Sequence, residues 1–431
     1  MMSFWDNFLQ SVRSHIHFYY FGYLFQWLVA ALLVGVAVGS ASAFFLVSLE
    51  WATQWREAHL WIVALLPFGG LLIGLAYHYY GQEVVKGNNQ LLEEIYQPQA
   101  GIPFKMAPLV LFGTLATHFF GGSAGREGTA VQMGGAIADQ LTKALGLSPH
   151  NRRIILLMGI SAGFASVFGT PLAGAVFALE VLVLGRMRYE SILPVFLSAF
   201  IGDYTCHAWQ VAHTEYHIGL VPAMTLANFL WVLPAGICFG WAAFVFSKAT
   251  HFWGDVFKAK INYPPLRPFV GGIFIALAVG LIGTSRYIGL GVPVIVSAFE
   301  QSLPWYEHLL KILFTSFTLG AGFKGGEVTP LFYVGATLGS SLSELLPLPT
   351  ALLAGMGFVA VFSGATNTPI ACTLMGIELF GAESAGYMAL ACVLAYLFSG
   401  HSGIYSAQII GSPKHLRFGR KKGQSLGEQS S

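Results

Sequence analysis

The chain of 431 residues is 55% hydrophobic and 10% charged, with 51 glycines and a mean hydropathy of +0.64. This composition excludes a water-soluble globular protein and indicates one polytopic membrane bundle, in which glycine permits close helix packing. The net charge is only +2, so the placement of the charges is more informative than their sum, and we expect no nucleic-acid partner.

The first predicted element is an interfacial amphipathic helix over residues 1–24, which are polar and aromatic and lack a small-residue cleavage site. The first long apolar span, about 25–49, is long enough to cross a bilayer. Further apolar segments follow near 60–80, 104–120, 127–146, 153–185, 191–212, 218–249, 267–284, 307–322, 329–346, 350–366, 369–382 and 384–399.

Several of these segments are too short to cross a bilayer alone. Those at 329–346 and 369–382 begin at a proline or a glycine-rich break, which predicts half-helices that end inside the membrane. Irregular backbone at that depth is tolerated only where it is buried in protein or lines a cavity. We therefore predict that the substrate site lies at these breaks.

The last predicted element is a basic tail at 411–431, with no acid before Glu428. By the positive-inside rule, this tail lies in the cytoplasm. Arg186 and Arg188, in a turn between apolar segments, indicate another cytoplasmic connection.

Landmarks of the first half recur in the second half at nearly one spacing. Gly125 to Thr129 is echoed by Gly325 to Thr329, and Thr170-Pro171 with Glu180 is echoed by Thr368-Pro369 with Glu378. The chain therefore contains a repeat, with membrane halves at 25–212 and 213–410. Duplicated halves with broken hydrophobic segments are typical of transporters, which hold their substrate where the halves meet. No P-loop sequence occurs, so ATP-driven pumping is not expected.

The first copy of the repeated motif places an acidic residue at a predicted helix start. Small residues precede Arg126-Glu127-Gly128 and allow tight backbone curvature, and Gly128 or Thr129 then opens the helix. Free N–H groups at a helix start, together with the helix dipole, bind anions. An ionised Glu127 can occupy such a site and a protonated Glu127 can leave it, which would couple anion movement to proton movement. The alternative is a structural carboxylate paired with Arg126, and the equivalent Glu327 in the second half favours the functional interpretation.

In the second copy, Pro330 suits a first helical position. The N–H groups of Val328 and Thr329 are then expected to face the repeat-related helix start. Lys324 adds a positive charge nearby, unless it extends to the interface.

Two further polar features are candidates for the site. Asn88 and Asn89 follow Gly87 between apolar segments and offer amide donors, although a polar turn is the alternative. Tyr405 offers a phenolic hydroxyl where the last apolar segment ends, and an interfacial anchor is the alternative.

Taken in this order, the motifs resemble the CLC family of anion channels and proton-coupled antiporters over nearly the whole chain. The resemblance implies an all-α polytopic membrane fold of two antiparallel inverted repeats with broken and tilted helices. It also implies a homodimer with one pathway in each subunit, and cytoplasmic termini. Glu127 corresponds to the gating glutamate. The implied anion-binding residues are Asn88, Gly125, Arg126, Gly128, Val328, Thr329 and Tyr405, supported by Gly87, Asn89, Gly326 and Glu327.

Departures from the chloride-type pattern indicate a particular branch. Asn88 stands where chloride-type members have the serine of Gly-Ser-Gly-Ile-Pro, the late loop reads Glu327-Val328-Thr329, and Val181 replaces an internal proton-relay acid. Each substitution is similar to the fluoride-exporting branch and implies a fluoride/proton antiporter of the bacterial inner membrane. Fluoride is small and strongly hydrated, so its site needs many close hydrogen-bond donors. Without an acid at Val181, Glu127 would serve both proton uptake and release, and Thr329 would hydrogen-bond its carboxylate.

Three alternatives stay open at the level of sequence. One is a chloride/proton antiporter or a passive chloride channel of the same fold. Another is a membrane-embedded enzyme or receptor that uses His118, His401 or the Arg152/Arg153 pair, but no catalytic motif supports it and we expect no enzyme. The third is a structural monovalent cation near Glu327 and Thr329, and no other cofactor is expected.

Overall fold

A computed structural model of the protein describes residues 16–99 and 101–429, which are mostly helical. The helices of the first half are α1 (Ile16–Ala58), α2 (Leu66–Tyr80), α3 (Asn88–Tyr96), α4 (Met106–Phe120), α5 (Glu127–Ala144), α6 (Pro149–Phe168), α7 (Pro171–Glu180) and α8 (Ile192–Ala208).

The second half repeats this series of long, broken and short helices. They are α9 (Leu226–Lys260), α10 (Leu266–Ile282), α11 (Val292–Glu300), α12 (Glu307–Gly320), α13 (Val328–Leu342), α14 (Thr350–Thr366), α15 (Pro369–Phe380) and α16 (Ala385–Phe398). Short 3₁₀ turns lie at Leu60–Leu65, Gln82–Val84, Tyr189–Ser191, Ala382–Ser384, Leu416–Lys421 and Gly427–Gln429. Strands β1 (Val183–Leu184) and β2 (Ile409–Ile410) pair in parallel.

Three stretches of the described chain are long and apolar enough to cross a membrane: Phe21–Ala58, Leu60–Tyr80 and Leu226–Lys260. Other apolar helices are shorter, and the 10 residues of α7 extend about 15 Å, which is half the thickness of a bilayer core. The predicted interfacial helix lies partly outside the described residues. Within them, α1 runs unbroken from residue 16, so the structure marks no boundary at residue 24.

The predicted single segment at 153–185 is wrong, because the structure divides it into α6 and α7. Gly169 ends α6 with φ of 69°, a backbone conformation that favours glycine. Pro171 then begins α7, since a proline at the first helical position loses no helical hydrogen bond.

Glycines bring the repeated helices into contact at equivalent places in the two halves. A Cβ atom built on Gly134 of α5 would lie 2.2 Å from the carbonyl oxygen of Gly159 of α6. In the second half, a Cβ on Gly335 of α13 would lie 2.0 Å from the carbonyl oxygen of Gly357 of α14. Only glycine permits such close backbone approach, so these crossings fix the helices that carry the site.

The two halves are also joined by two glutamates, each of which accepts hydrogen bonds from a helix start in the other half. Glu180, at the end of α7, accepts hydrogen bonds from the N–H groups of Ile370 and Ala371 at the start of α15, at 3.2 and 2.9 Å. Glu378 of α15 accepts two equivalent bonds of 2.8 Å from the start of α7. Each repeat therefore neutralises a helix N-terminus of the other repeat.

Contacts of the C-terminal tail define one face of the protein, which we call the tail face. The connection after α7 pairs with Ile409–Ile410, and His251 near the end of α9 contacts the carbonyl oxygen of Gly403 at 3.0 Å. Since α8 begins beside that connection and extends about 25 Å, the 209–225 connection lies at the opposite face, which we call the outer face.

Candidate functional site

The glycine-rich loops of the two repeats pair with each other at the centre of the protein. Gly125 donates its N–H to the carbonyl oxygen of Gly326 at 2.6 Å, and Gly326 donates to that of Gly125 at 2.8 Å. Helices α5 and α13 begin directly after this bridge. The two helix N-termini therefore meet where the halves meet, which is the arrangement that favours an anion.

The Glu127 carboxylate occupies this meeting point. Its Oε2 accepts hydrogen bonds from the backbone N–H groups of Thr329 and Arg126, each at 3.1 Å, and its Oε1 accepts a short bond from the Thr329 hydroxyl. The Arg126 Nε atom lies 3.7 Å from Oε1, and the Glu127 side chain is only 1% exposed. A carboxylate of the first repeat thus lies at the first turn of the helix of the second repeat, where the helix dipole favours negative charge.

Asn88 contributes an amide to the start of α5. A Cβ built on Gly128 would lie 2.9 Å from the Asn88 Nδ2 atom, so this amide lies against the backbone directly after Glu127. The Asn88 Oδ1 atom is buried and has no hydrogen-bond partner among the described residues. The Nδ2 group can donate a hydrogen bond to an anion at this helix start. Placing it there leaves the Oδ1 acceptor buried without a partner, which is unfavourable.

Tyr405 lies on the tail-face side of these residues. Its side chain is buried. The Asn89 Oδ1 atom accepts a hydrogen bond of 3.0 Å from the N–H of Ala407. The loop that carries Asn88 is therefore tied to the segment that carries Tyr405.

The second repeated motif differs from the sequence prediction in its helix start. Helix α13 begins at Val328, so Pro330 is its third residue and the prediction of a first position is wrong. The predicted start of α5 at Gly128 or Thr129 is also wrong, because α5 begins at Glu127, one residue before Gly128. Glu327 is the capping residue before α13, and its side chain makes no capping hydrogen bond.

A cavity of about 990 Å³ opens on the tail face beside the segments that carry Asn88 and Tyr405. Its walls include Gln90 from the start of α3, and Ser406 and Ala407 directly after Tyr405. A much smaller cavity of about 20 Å³ lies on the other side of the site, where Arg126, Glu127 and Thr329 meet His213 and Tyr216. Glu127 therefore lines a narrow approach, whereas the wide cavity opens beside the segments that carry Asn88 and Tyr405.

Some of the residues that line the narrow approach are not among the candidates predicted from the sequence. His213 and Tyr216 belong to the 209–225 connection, which contains no repeated motif. The available signal is His207 within an apolar segment, since ionisable residues inside membrane spans are rare and mark ion or proton pathways.

Two of the residues considered for an enzyme, Arg152 and His118, contact different partners. Arg152 joins α3, α5 and α6, because its guanidinium lies 2.7 Å from Glu94 and 2.6 Å from Asp139. His118 contacts the carbonyl oxygen of Gly125 at 3.4 Å. In the described part of the chain, no three His, Cys, Asp or Glu residues are grouped as metal ligands.

Comparisons with known proteins agree on one family. Residues 69–400 match the family described as voltage gated chloride channel. A chloride/fluoride channel protein of Pseudomonas syringae pv. tomato is 54% identical over 401 residues, which cover 92% of this chain and 89% of the relative.

Solved structures show the same likeness. The crystal structure of a CLC-type fluoride/proton antiporter has a TM-score of 0.87 and 34% identity, and the match covers 89% of this chain and 98% of that one. A slow cyanobacterial Cl⁻/H⁺ antiporter has a TM-score of 0.77 at 19% identity, over 94% of this chain and 99% of that one, and this likeness concerns the fold alone.

Proposed function

The chain belongs to the voltage-gated chloride channel family, CLC, and on this premise we propose that it is a transporter that exports fluoride in exchange for protons. The resemblance read from the sequence and the all-α polytopic membrane fold are thereby confirmed. One observation carries the proposal: the Glu127 carboxylate is held by the N–H and hydroxyl of Thr329, at the helix start of the other repeat.

The first step of the mechanism is competition between Glu127 and a free anion. The backbone N–H groups that hold the carboxylate are the donors that an anion at a helix N-terminus needs, whereas the Thr329 hydroxyl adds a hydrogen bond to the carboxylate alone. An ionised Glu127 therefore closes the pathway by occupying the anion position. Fluoride can enter only when the carboxylate has left.

The second step is protonation, which weakens the hold on Glu127. A protonated carboxyl has no charge to interact with the helix start, and it loses acceptor capacity toward Thr329. The side chain then leaves with its proton and the anion takes its place. Because one group blocks the anion and carries the proton, the two ions move in exchange.

The choice of fluoride rests on the donors around this position. Asn88 supplies amide N–H groups, and Tyr405 supplies a hydroxyl. Backbone groups at the two helix starts come from Gly125, Arg126, Gly128 and Val328. These loops are supported by the neighbouring residues Gly87, Asn89, Gly326 and Glu327. A fluoride ion requires many close donors, because its hydration is stronger than that of chloride. The likeness to a protein named as a fluoride/proton antiporter supports this choice.

The orientation and assembly complete the proposal. Basic residues lie on the tail face, as in the turn with Arg186 and Arg188 and at the end of α9 with Lys258 and Lys260, so we place this face in the cytoplasm. Both termini are then cytoplasmic, in a bacterial inner membrane. The assembly is a homodimer with one pathway per subunit, and a structural monovalent cation near Glu327 and Thr329 stays a prediction.

The test is a flux assay on the protein reconstituted in vesicles. Fluoride and chloride electrodes record anion efflux, and a pH electrode records proton uptake in the same vesicles. The proposal predicts fluoride efflux accompanied by proton uptake, and much slower chloride efflux. Equal fluoride and chloride exchange would establish the chloride/proton antiporter instead, and anion flux without proton movement would establish a passive channel.

A further inference from the structure

Exchange requires that Glu127 meet protons at the outer face, yet its side chain is 1% exposed. The route from Glu127 to that face is the cavity of about 20 Å³ that it shares with Arg126 and His213. Such a volume holds about one water molecule. Because the route is narrow, the groups that line it control how protons reach the carboxylate.

His213 lines this route, and one of its two ring nitrogens makes no hydrogen bond among the described residues. Its Nε2 atom contacts the carbonyl oxygen of Ser166 at 3.0 Å. A carbonyl oxygen can only accept, so Nε2 carries a hydrogen and the Nδ1 atom of the neutral ring has a lone pair. Among the described residues, this Nδ1 atom is buried and has no hydrogen-bond partner.

A second histidine continues from His213 toward the surface. The rings of His207 and His213 have centroids 5.2 Å apart. The His207 Nδ1 atom contacts the Asp203 carbonyl oxygen at 3.1 Å and lies 3.4 Å from the Asp203 Oδ1 atom. The His207 side chain is 56% exposed, so its Nε2 atom is left for exchange with water.

We propose that His207, positioned by Asp203, and His213 form a proton relay between the outer face and Glu127. A proton from external water binds the Nε2 atom of His207, then leaves that same atom for the Nδ1 atom of His213. His207 thereby returns to its neutral form, and His213 becomes an imidazolium. The same proton then leaves Nδ1 and crosses the small cavity to the Glu127 carboxylate. His213 returns to its neutral form, and its Nε2–H bond to Ser166 is kept throughout.

The charges around His213 favour brief rather than lasting protonation. Burial lowers the pKa of the His213 ring, the hydrogen bond to Ser166 opposes this shift, and the charge of Arg126 adds to it. A group that is easily deprotonated passes its proton on to a carboxylate. The titratable and charged groups around the relay come from four parts of the chain. They are Arg126 and Glu127 in the first loop, Asp203, Cys206 and His207 on α8, Glu378 on α15, and Glu215, Tyr216 and His217 in the same connection as His213.

The experiment compares His213→Gln with the matched control His217→Gln, whose wild-type side chain is 84% exposed in the same connection. Glutamine retains an N–H donor for Ser166 but carries no proton between sites. Fluoride/proton exchange is driven by a fluoride gradient with equal pH on both sides, from pH 5.5 to pH 8, and protein-free vesicles supply the background. Fluoride affinity is measured separately by calorimetry.

The relay predicts that His213→Gln slows exchange at pH 8 by about tenfold or more, the scale of a lost proton-transfer group. Fluoride affinity stays unchanged, the rate recovers toward pH 5.5, and added imidazole restores it. His207→Gln shows a smaller defect with the same pH dependence, and His217→Gln behaves as wild type.

Two results would overturn the relay. One is normal fluoride/proton exchange by His213→Gln at every pH. The other is a slow exchange rate in His213→Gln that neither low pH nor imidazole restores, although the variant still binds fluoride. The relay rests on the proposed function, and vesicles with wild-type protein distinguish failure of the relay from failure of the function. If wild-type vesicles show no fluoride/proton exchange, the proposed function itself is contradicted.

Discussion

The Thr329 hydroxyl gives the sharpest prediction of how Glu127 is held. It supplies one of three hydrogen bonds to the carboxylate, and Thr329→Val removes it while the backbone N–H bond stays. A hydrogen bond to a charged group contributes about 1.5–3 kcal/mol. Since 1.4 kcal/mol corresponds to a factor of ten, the hold on the ionised carboxylate weakens by about tenfold or more.

The expected result is tighter fluoride binding, because fluoride competes with the carboxylate for the same helix start. Calorimetric titration of the purified protein at pH 8 measures the affinity. Thr329→Ser keeps the hydroxyl and serves as the matched control, with an affinity near that of wild type.

A double-mutant cycle separates this account from a direct contact between Thr329 and fluoride. In a Glu127→Gln background there is no ionised carboxylate to hold, so Thr329→Val should leave fluoride affinity unchanged. If Thr329→Val instead weakens fluoride binding by the same factor in both backgrounds, the hydroxyl is a fluoride ligand and the reasoning about the carboxylate is refuted.

The remaining predictions concern packing, the glutamates that join the two halves, and selectivity. Gly335→Ala places a Cβ 2.0 Å from a facing carbonyl oxygen and should lower the melting temperature in detergent, whereas Gly280→Ala meets no atom within 4 Å and should not. Glu378→Ala removes both acceptors at the start of α7 and should destabilise the protein by about 0.5–2 kcal/mol in thermal unfolding, against no change for the exposed Glu383→Ala. Asn88→Ser removes the amide donor and should raise chloride efflux relative to fluoride efflux, and an unchanged ratio would exclude Asn88 from selectivity.

How much of this protein was predictable depends on the kind of signal involved. The repeat located Glu127 and Thr329, because both the residue types and their spacing are printed in the sequence. The break within 153–185 was missed even though Pro171 is visible, since the apolar composition continues on both sides of it. The reciprocal role of Glu180 was missed for another reason: its partners are backbone N–H groups in the other repeat, which leave no side-chain pattern.

The outer approach illustrates the same limit. His213 and Glu127 line one cavity because the connection after α8 passes over the break between α6 and α7. The path of that connection depends on tertiary packing. Asn88 is intermediate, since its amide was visible as a candidate donor, but its contact with Gly128 required the structure.

The most direct test of the central claim is uphill proton movement driven by a fluoride gradient, compared between wild type and Glu127→Gln. The exposed Glu383→Gln variant controls for reconstitution. Wild type and Glu383→Gln should move protons against their gradient, while Glu127→Gln should bind fluoride and move no protons. Uphill proton movement by Glu127→Gln at the wild-type rate would contradict the assignment of Glu127 as the group that couples the two ions.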